Sequence, residues 1–315
     1  MLCVFVCLNK SMGDKIIEIN NLYKSFGENK AVNGISFHLN QGELFSFLGV
    51  NGAGKSTTIN IIVGVLKKDS GECFVDGYSI EESEKILPEI GIVFQNSVLD
   101  KKLSVLDNLK YRAYLYGMNK TEFKKRLEFF SKKLDLENLL KRPLGLLSGG
   151  QKRKIDITRA LLHKPKILIL DEPTTGLDPQ TRKNVWELID ELRKKEKLTV
   201  LLTTHYMEEA SKSDYVVIID KGVIVAEGKP SDLKTKFAYD YLKIYKYNED
   251  LKGLLIKNNI KYSLESDCLE IKFQSTKEAK DFVNDYKDYI YDLEIIKGTM
   301  DDVFLTVTGK ELNNL

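Results

Sequence analysis

The sequence has no apolar run long enough to cross a bilayer. Its longest, Leu2 to Leu8, falls far short of the roughly 20 residues that a membrane helix needs. Lacking a basic flank and a small-residue cleavage site, that run does not read as a signal peptide either. Cysteine is scarce: Cys3, Cys7, Cys73 and Cys268 are scattered, with no C-x-x-C pair and no neighbouring histidine. That spacing argues against a zinc site and against a disulfide framework, so reduced thiols in the cytosol are expected. Charge of one sign is also missing. The 48 basic and 46 acidic residues leave a formal net charge of +2, and no large field points to nucleic acid or to an anionic membrane surface.

At 315 residues with 43% apolar content, the chain can bury the cores of one large and one small domain. Met12 is an alternative start, and residues 1–14 are expected to form a disordered N-terminal extension. The most informative stretch is Gly49-Val50-Asn51-Gly52-Ala53-Gly54-Lys55-Ser56-Thr57, which meets every fixed position of G-x-x-x-x-G-K-[ST]. An apolar run, Leu44 to Leu48, leads into it, and Ile59, Ile62, Val63 and Leu66 recur behind it at helical spacing. The order is strand, glycine loop, helix. Such a loop bends so that backbone N–H groups and a helix N-terminus converge on a phosphate chain. Lys55 is then placed for the β and γ phosphates of a nucleotide and Ser56 for Mg²⁺.

Ahead of the loop, Ile17 and Ile19, then Val32, Ile35, Phe37 and Leu39, alternate as an antiparallel β entry. Phe26, with Tyr23 in reserve, is a candidate to stack on adenine, a contact worth about 1 to 3 kcal/mol in base-stacking systems. It reads equally as a half-buried strand aromatic. Gly71–Val75 and Ile90–Phe94 are further strands, and Gln95 after the second is placed to hold Mg²⁺ or its water through the amide oxygen. From about 100 to 145 the pattern turns helical, with a capping box at Ser104–Asp107 and a second helix starting at Thr121-Glu122. Tyr111, Tyr114 and Tyr116 crowd the first of these helices, as core or as a partner surface.

Leu147-Ser148-Gly149-Gly150-Gln151 opens a helix over Lys152–His163 and reads as a second phosphate cradle. The aliphatic strand Ile167–Leu170 delivers Asp171 and Glu172 at its C-terminal end, one for the Mg²⁺ shell and the other to polarise an attacking water. Two adjacent buried carboxylates are costly without a cation, and metal with nucleotide is the natural compensation. Gly176-Leu177-Asp178-Pro179 is a tight turn, and His205, after the strand Thr199–Leu202, is placed to donate to a γ-phosphate.

The ordered set GVNGAGKST, Gln95, LSGGQ, ILILDEP, GLDP and Thr204-His205 resembles the ATP-binding subunit of ABC transporters over roughly residues 16–233. The resemblance implies an α/β P-loop NTPase of ABC type: a mixed sheet with helices, the antiparallel β entry and the helical insert, over residues 15–235. It assigns Gly49, Asn51, Gly52, Ala53, Gly54, Lys55, Ser56 and Thr57 to the nucleotide, with Phe26 in the adenine position that the family usually fills with tyrosine. Gln95 becomes the glutamine loop, Ser148, Gly149, Gly150 and Gln151 the signature, and Asp178 the D-loop at the dimer contact. Asp171 becomes the Walker B acid, Glu172 the catalytic glutamate and His205 the switch histidine. It further implies ATP and Mg²⁺ as ligands and a head-to-tail dimer with a second copy or a homologous subunit. A separate transmembrane permease would sit at the helical insert, which implies a peripheral place on the cytoplasmic face of the membrane.

Residues 240–315 change character to a small α+β module, with strands near Tyr241–Ile244, Leu269–Phe273 and Asp292–Ile295 and helices over Glu249–Asn258 and Lys277–Tyr286. The segment Thr299–Gly309 is similar to the tail of drug-resistance, sodium-extrusion and polysaccharide or lipid exporter subunits. A dimer-bracing or regulatory role and a passive packing role both fit this module. The competing class is a soluble ABC-type ATPase acting on nucleic acid or ribosomes, or a regulator without transport. Such proteins usually carry long coiled-coil insertions or two ATPase units, and this sequence has neither; no nucleic acid is expected as a partner.

Overall fold

Alternating apolar residues open the described chain, which in this computed structural model comprises residues 15–309 except Thr175 and Ser266. The expected N-terminal extension, with Cys3 and Cys7, lies outside the described residues. In β1 (Lys15–Phe26) and β2 (Asn29–Asn40) the buried positions are Ile16, Ile17, Ile19, Leu22, Val32, Ile35, Phe37 and Leu39, and the two strands pair antiparallel. β3 (Leu44–Leu48) is buried at every position and feeds the glycine loop and α1 (Lys55–Ile62). The helix is shorter than its apolar stripe suggests. Gly64 turns at φ 73°, so Val63 still packs inside while Leu66 leaves the helix and is only half-buried.

β4 (Ser70–Val75) returns beside β1 and pairs with the short β5 (Tyr78–Ser79), giving an antiparallel sheet of order β2-β1-β4-β5. After α2 (Ser83–Ile86) comes β6 (Ile90–Val93). The helical insert is α3 (Val105–Leu115) and α4 (Lys120–Leu134). Ser104 caps α3 through the Asp107 amide, while the reciprocal capping box belongs to α4, between Asn119 and Glu122. α4 therefore starts at Lys120, just before the Thr121 read from sequence. Phe123, Leu127, Phe130 and Leu134 turn inward on it. Next come α5 (Gly149–Leu161), β7 (Ile167–Asp171), α6 (Pro179–Glu196) and β8 (Thr199–Thr204). α5 begins earlier than expected, because Ser148 is its N-cap and Gly149 its first residue.

β3, β8, β7 and β6 lie side by side and parallel, with β6 at the edge. An edge strand leaves every second carbonyl without a ladder partner, and here cationic and imidazole groups of α5 and its C-terminal end take them in turn. His163 Nε2 donates to Ile90 O at 3.2 Å, Arg159 to Ile92 O, and Arg153 to Phe94 O just past the strand. Gly91 permits this approach: a Cβ there would lie 2.1 Å from the carbonyl oxygen of Ala160.

The chain divides into two compact units, one reaching His205 and including Ile219–Ile224, the other comprising Tyr206–Ile218 and Val225 onward. α7 (Met207–Ala210) and α8 (Pro230–Phe237) belong to the second unit because α11 (Met300–Thr308) packs on both. β9 (Tyr215–Asp220) and β10 (Val223–Gly228) straddle the division. The second unit is built on an antiparallel sheet of β11 (Asp240–Tyr247), β12 (Ser263–Glu265), β13 (Cys268–Phe273) and β14 (Ile290–Ile296), in the order β12-β13-β11-β14. α9 (Asp250–Lys257) and α10 (Thr276–Asp285) contribute Leu251, Leu255 and Phe282 to the core with Leu242, Ile244, Leu269 and Ile271. Thr299–Gly309, read from sequence only as a tail, is a capped helix: Thr299 and Asp302 form a capping box and Gly309 ends it at φ 63°.

His163 makes the sheet edge sensitive to acid. Burial pushes its pKa from 6.5 down to about 4, with Arg159, Arg126 and Arg112 adding to the effect against the Ile90 hydrogen bond. The folded state therefore resists a proton that the unfolded chain accepts below about 6.5, so stability is lost as pH falls from about 6.5 toward 4, by about 2 to 3 kcal/mol from this group. In urea titrations across that range, His163→Gln should show a shallower loss than the parent. Parallel curves would remove His163 as the cause.

Candidate functional site

The first unit's site forms where α1 begins. Gly54, the residue before α1, stands at φ 112°, a conformation that side-chain-bearing residues rarely adopt, and a Cβ on it would lie 2.3 Å from the Ala31 carbonyl oxygen. The first turn of α1 has no side-chain cap, so its amides are left to a ligand. Phe26, Asn51, Gly52, Gly54, Lys55, Ser56, Thr57, Gln95, Asp171 and Glu172 line one cleft of about 250 Å³, together with Asn29 and Ala31.

Lys55 is 6% exposed and folds back, its Nζ donating to Gly49 O at 2.6 Å and to Val50 O at 3.1 Å. Burial lowers its pKa, while Glu172 and Asp171 oppose that shift. Gly49 therefore contributes a carbonyl rather than cleft surface. Ala53 is buried and turned away, its carbonyl accepting the Gly222 amide at 3.0 Å. Of the two aromatic candidates, Phe26 is 51% exposed at the cleft, with Lys24 Nζ 5.6 Å from its ring centre. Tyr23 instead packs over Gly34.

Opposite the loop, β7 and β8 place Asp171 beside Thr203 in register. Asp171 is 8% exposed; one carboxylate oxygen lies 3.4 Å from Ser56 Oγ and the other accepts from Thr203 Oγ1. Glu172 takes φ 48°, in the left-handed region, and its amide donates to Thr203 O at 3.1 Å. Its carboxylate is shared, with Gln95 Nε2 at 3.4 Å on one oxygen and His205 Nδ1 at 3.2 Å on the other. Gln95, Asp171, Glu172 and His205 are thus gathered from three strand ends. Thr203 and Arg153 were not among the sequence candidates; Arg153 bonds the carbonyls of Asp171, Glu172 and Pro173. The threonine was in principle visible as the strand neighbour of Asp171, but no motif marked the arginine.

Two groups of candidates stay apart from the cleft. Ser148, Gly149, Gly150 and Gln151 form the start of α5, where Ser148 and Gln151 make a reciprocal capping box at 3.1 and 3.3 Å. Around Gly149 there is open space. Asp178 caps α6 instead, its Oδ1 accepting the Thr181 amide at 2.9 Å, and hydrogen bonds from Thr181 hold its pKa below the usual carboxylate value.

The family model described as ABC transporter matches residues 32–175. The chain is 41% identical to the linearmycin resistance ATP-binding protein LnrL of Bacillus subtilis, over 71% of this chain and 73% of that one. The chain belongs to the ABC transporter family. As a member it is an ATPase cassette. The doxorubicin resistance ATP-binding protein DrrA of Mycobacterium tuberculosis is 32% identical over 96% of both chains. Among solved structures, the dimeric, post-hydrolysis ATP-binding cassette MJ0796 bound to ADP and Pi superposes with a TM-score of 0.63 and 30% identity, covering 68% of this chain and 98% of that one. Cassettes of this family thus bind nucleotide and form dimers, and the cleft of this ABC cassette is where its glycine loop and two carboxylates meet.

Lys55 is tied to two carbonyls, so any phosphate held by the glycine loop would compete with them for its ammonium. Lys55→Ala should weaken ATP binding at least tenfold in a fluorescent-nucleotide titration, about 1.4 kcal/mol or more. An unchanged Kd would take the loop out of the binding site.

Proposed function

We propose that this protein is the ATP-hydrolysing subunit of an exporter, working as a head-to-tail pair with a separate membrane-spanning permease. The observation that carries the reading is the separation of two elements of phosphate-binding type: the cleft of Lys55 and Glu172, and the start of α5 at Ser148–Gly150, which does not line it. In the pair, the cleft takes the phosphate end of ATP and the second copy supplies the facing wall.

In this reading the loop amides from Gly52 to Thr57 cradle the phosphates, Lys55 turns from Gly49 and Val50 to the β and γ groups, and Phe26 stacks on the base. Ser56, Asp171 and Gln95 would hold Mg²⁺, which neutralises phosphate charge when bound. Among the described residues no three His, Cys, Asp or Glu side chains gather as a metal cage. That suits Mg²⁺, which usually takes one or two carboxylates and completes its shell with water and phosphate oxygens. Glu172 accepts a hydrogen bond from the attacking water, while His205, which meets the same carboxylate, takes the γ-phosphate side. Ser148, Gly149 and Gly150 close the second copy's site, with Gln151 capping their helix and Asp178 near the contact.

Among the described residues no helix is long and apolar enough to cross a membrane. Relatives named for drug resistance and Nod factor export support the reading of export; in it the permease meets the helical insert at the cytoplasmic face. The second unit braces the pair or regulates it.

Glu172→Gln should lower ATP turnover by about 100-fold or more and, with ATP present, shift the chain to a dimer in light scattering. Turnover at the parent rate would take Glu172 out of its role. Because Ser148 also caps α5, dilution is the cleaner test of the shared site. The rate per chain should fall as the pair dissociates, and a constant rate down to the monomer would refute the head-to-tail arrangement. Membrane pull-downs should recover a multi-helix membrane protein; recovery with ribosomes or DNA alone would favour the soluble class.

A further inference from the structure

Arg153 lies on α5 five residues beyond its cap and is 7% exposed. Its guanidinium bonds to main-chain carbonyls from two strand ends. Nε donates to Pro173 O at 2.7 Å, Nη2 to Asp171 O at 2.7 Å and to Glu172 O at 2.6 Å, and Nη1 to Phe94 O. Those four carbonyls belong to the residue before Gln95 and to the stretch that carries both site carboxylates. Asp156, Asp171 and Glu172 supply the surrounding negative field, against the cost of burying the cation.

Two features make this arrangement more than packing. A planar fork with five donors can serve several carbonyls at once, whereas an ammonium supplies three donors from one point. The backbone it grips is also strained: Glu172 stands at φ 48°, a conformation that costs a non-glycine residue on the order of 1–3 kcal/mol and persists only where neighbours over-determine it. Arg153 on the Glu172 carbonyl and Thr203 on its amide are those neighbours. The side chain then reaches Gln95 on one oxygen and His205 on the other.

We propose that Arg153 is a positioning residue for ATP hydrolysis: by clamping the main chain at Phe94, Asp171, Glu172 and Pro173 it aims the Glu172 carboxylate and keeps Gln95 beside it. This rests on the reading that Glu172 activates water. Arg153 does not itself line the cleft and meets Asp171 and Glu172 only at their main-chain carbonyls, so the effect falls on the chemical step and leaves nucleotide binding alone.

Arg153→Lys and Arg153→Gln, made in the full chain, test this by comparing kcat with the Kd for a fluorescent ATP analogue. Both variants should bind the analogue within about twofold of the parent and lose kcat by on the order of 10- to 100-fold, the scale of a misplaced catalytic group. The deciding measurement is a double-mutant cycle with Glu172→Gln, read as slow phosphate release. If Arg153 acts through Glu172, its replacement costs little once that carboxylate is gone. Equal losses in both backgrounds, or Kd rising as much as kcat falls, would overturn the positioning role. A Glu172→Gln chain with parental turnover would instead overturn the reading beneath it. Binding of the analogue also reports folding, and the lysine variant, which keeps the charge and the stem, covers the case in which glutamine does not fold.

Discussion

Two carboxylates at the mouth of a strand buried on both faces form the constraint to which the first unit answers. Asp171 and Glu172 leave β7 side by side, where apolar surroundings would make unpaired anions costly. The chain supplies Lys55 and the Ser56 hydroxyl from α1, Arg153 from α5, the Thr203 hydroxyl from β8 and the Gln95 amide from beyond β6. Buried cations and buried anions compensate one another. Burial lowers the pKa values of Lys55 and Arg153, and the two carboxylates act in the opposite direction on both.

The same economy runs along the edge of the sheet. β6 has neighbours on one side only, and its unpaired carbonyls are taken by His163, Arg159 and Arg153 rather than by another strand. One helix therefore closes the sheet, holds the Glu172 backbone and, at its other end, offers the Ser148–Gly150 turn to the outside. Edge protection and site geometry share an element, so a change at α5 reaches both.

How much was legible in advance follows from which interactions are local. The glycine loop, the buried aliphatic strands and the acidic pair at the end of β7 were readable because each depends on residues adjacent in sequence. Gln95 and His205 had only strand ends to recommend them, and the shared Glu172 carboxylate shows why they belong together. The end of α1 was misread. Leu66 continues the apolar period, but Gly64 breaks the backbone before that residue is reached. The packing of α11 on α7 and α8 was not legible, because it involves residues far apart in sequence.

By itself the sequence determined the glycine loop between a strand and a helix, the buried aliphatic strands and the acidic pair at the end of β7, since hydrophobic period and turn residues act over a few positions. Tertiary structure decided the rest. Only folding brings Phe94 and Pro173 to one guanidinium, sets Thr203 across from Asp171, and keeps the start of α5 out of the cleft's lining. Those relations depend on which element lies against which, and no spacing along the chain encodes that.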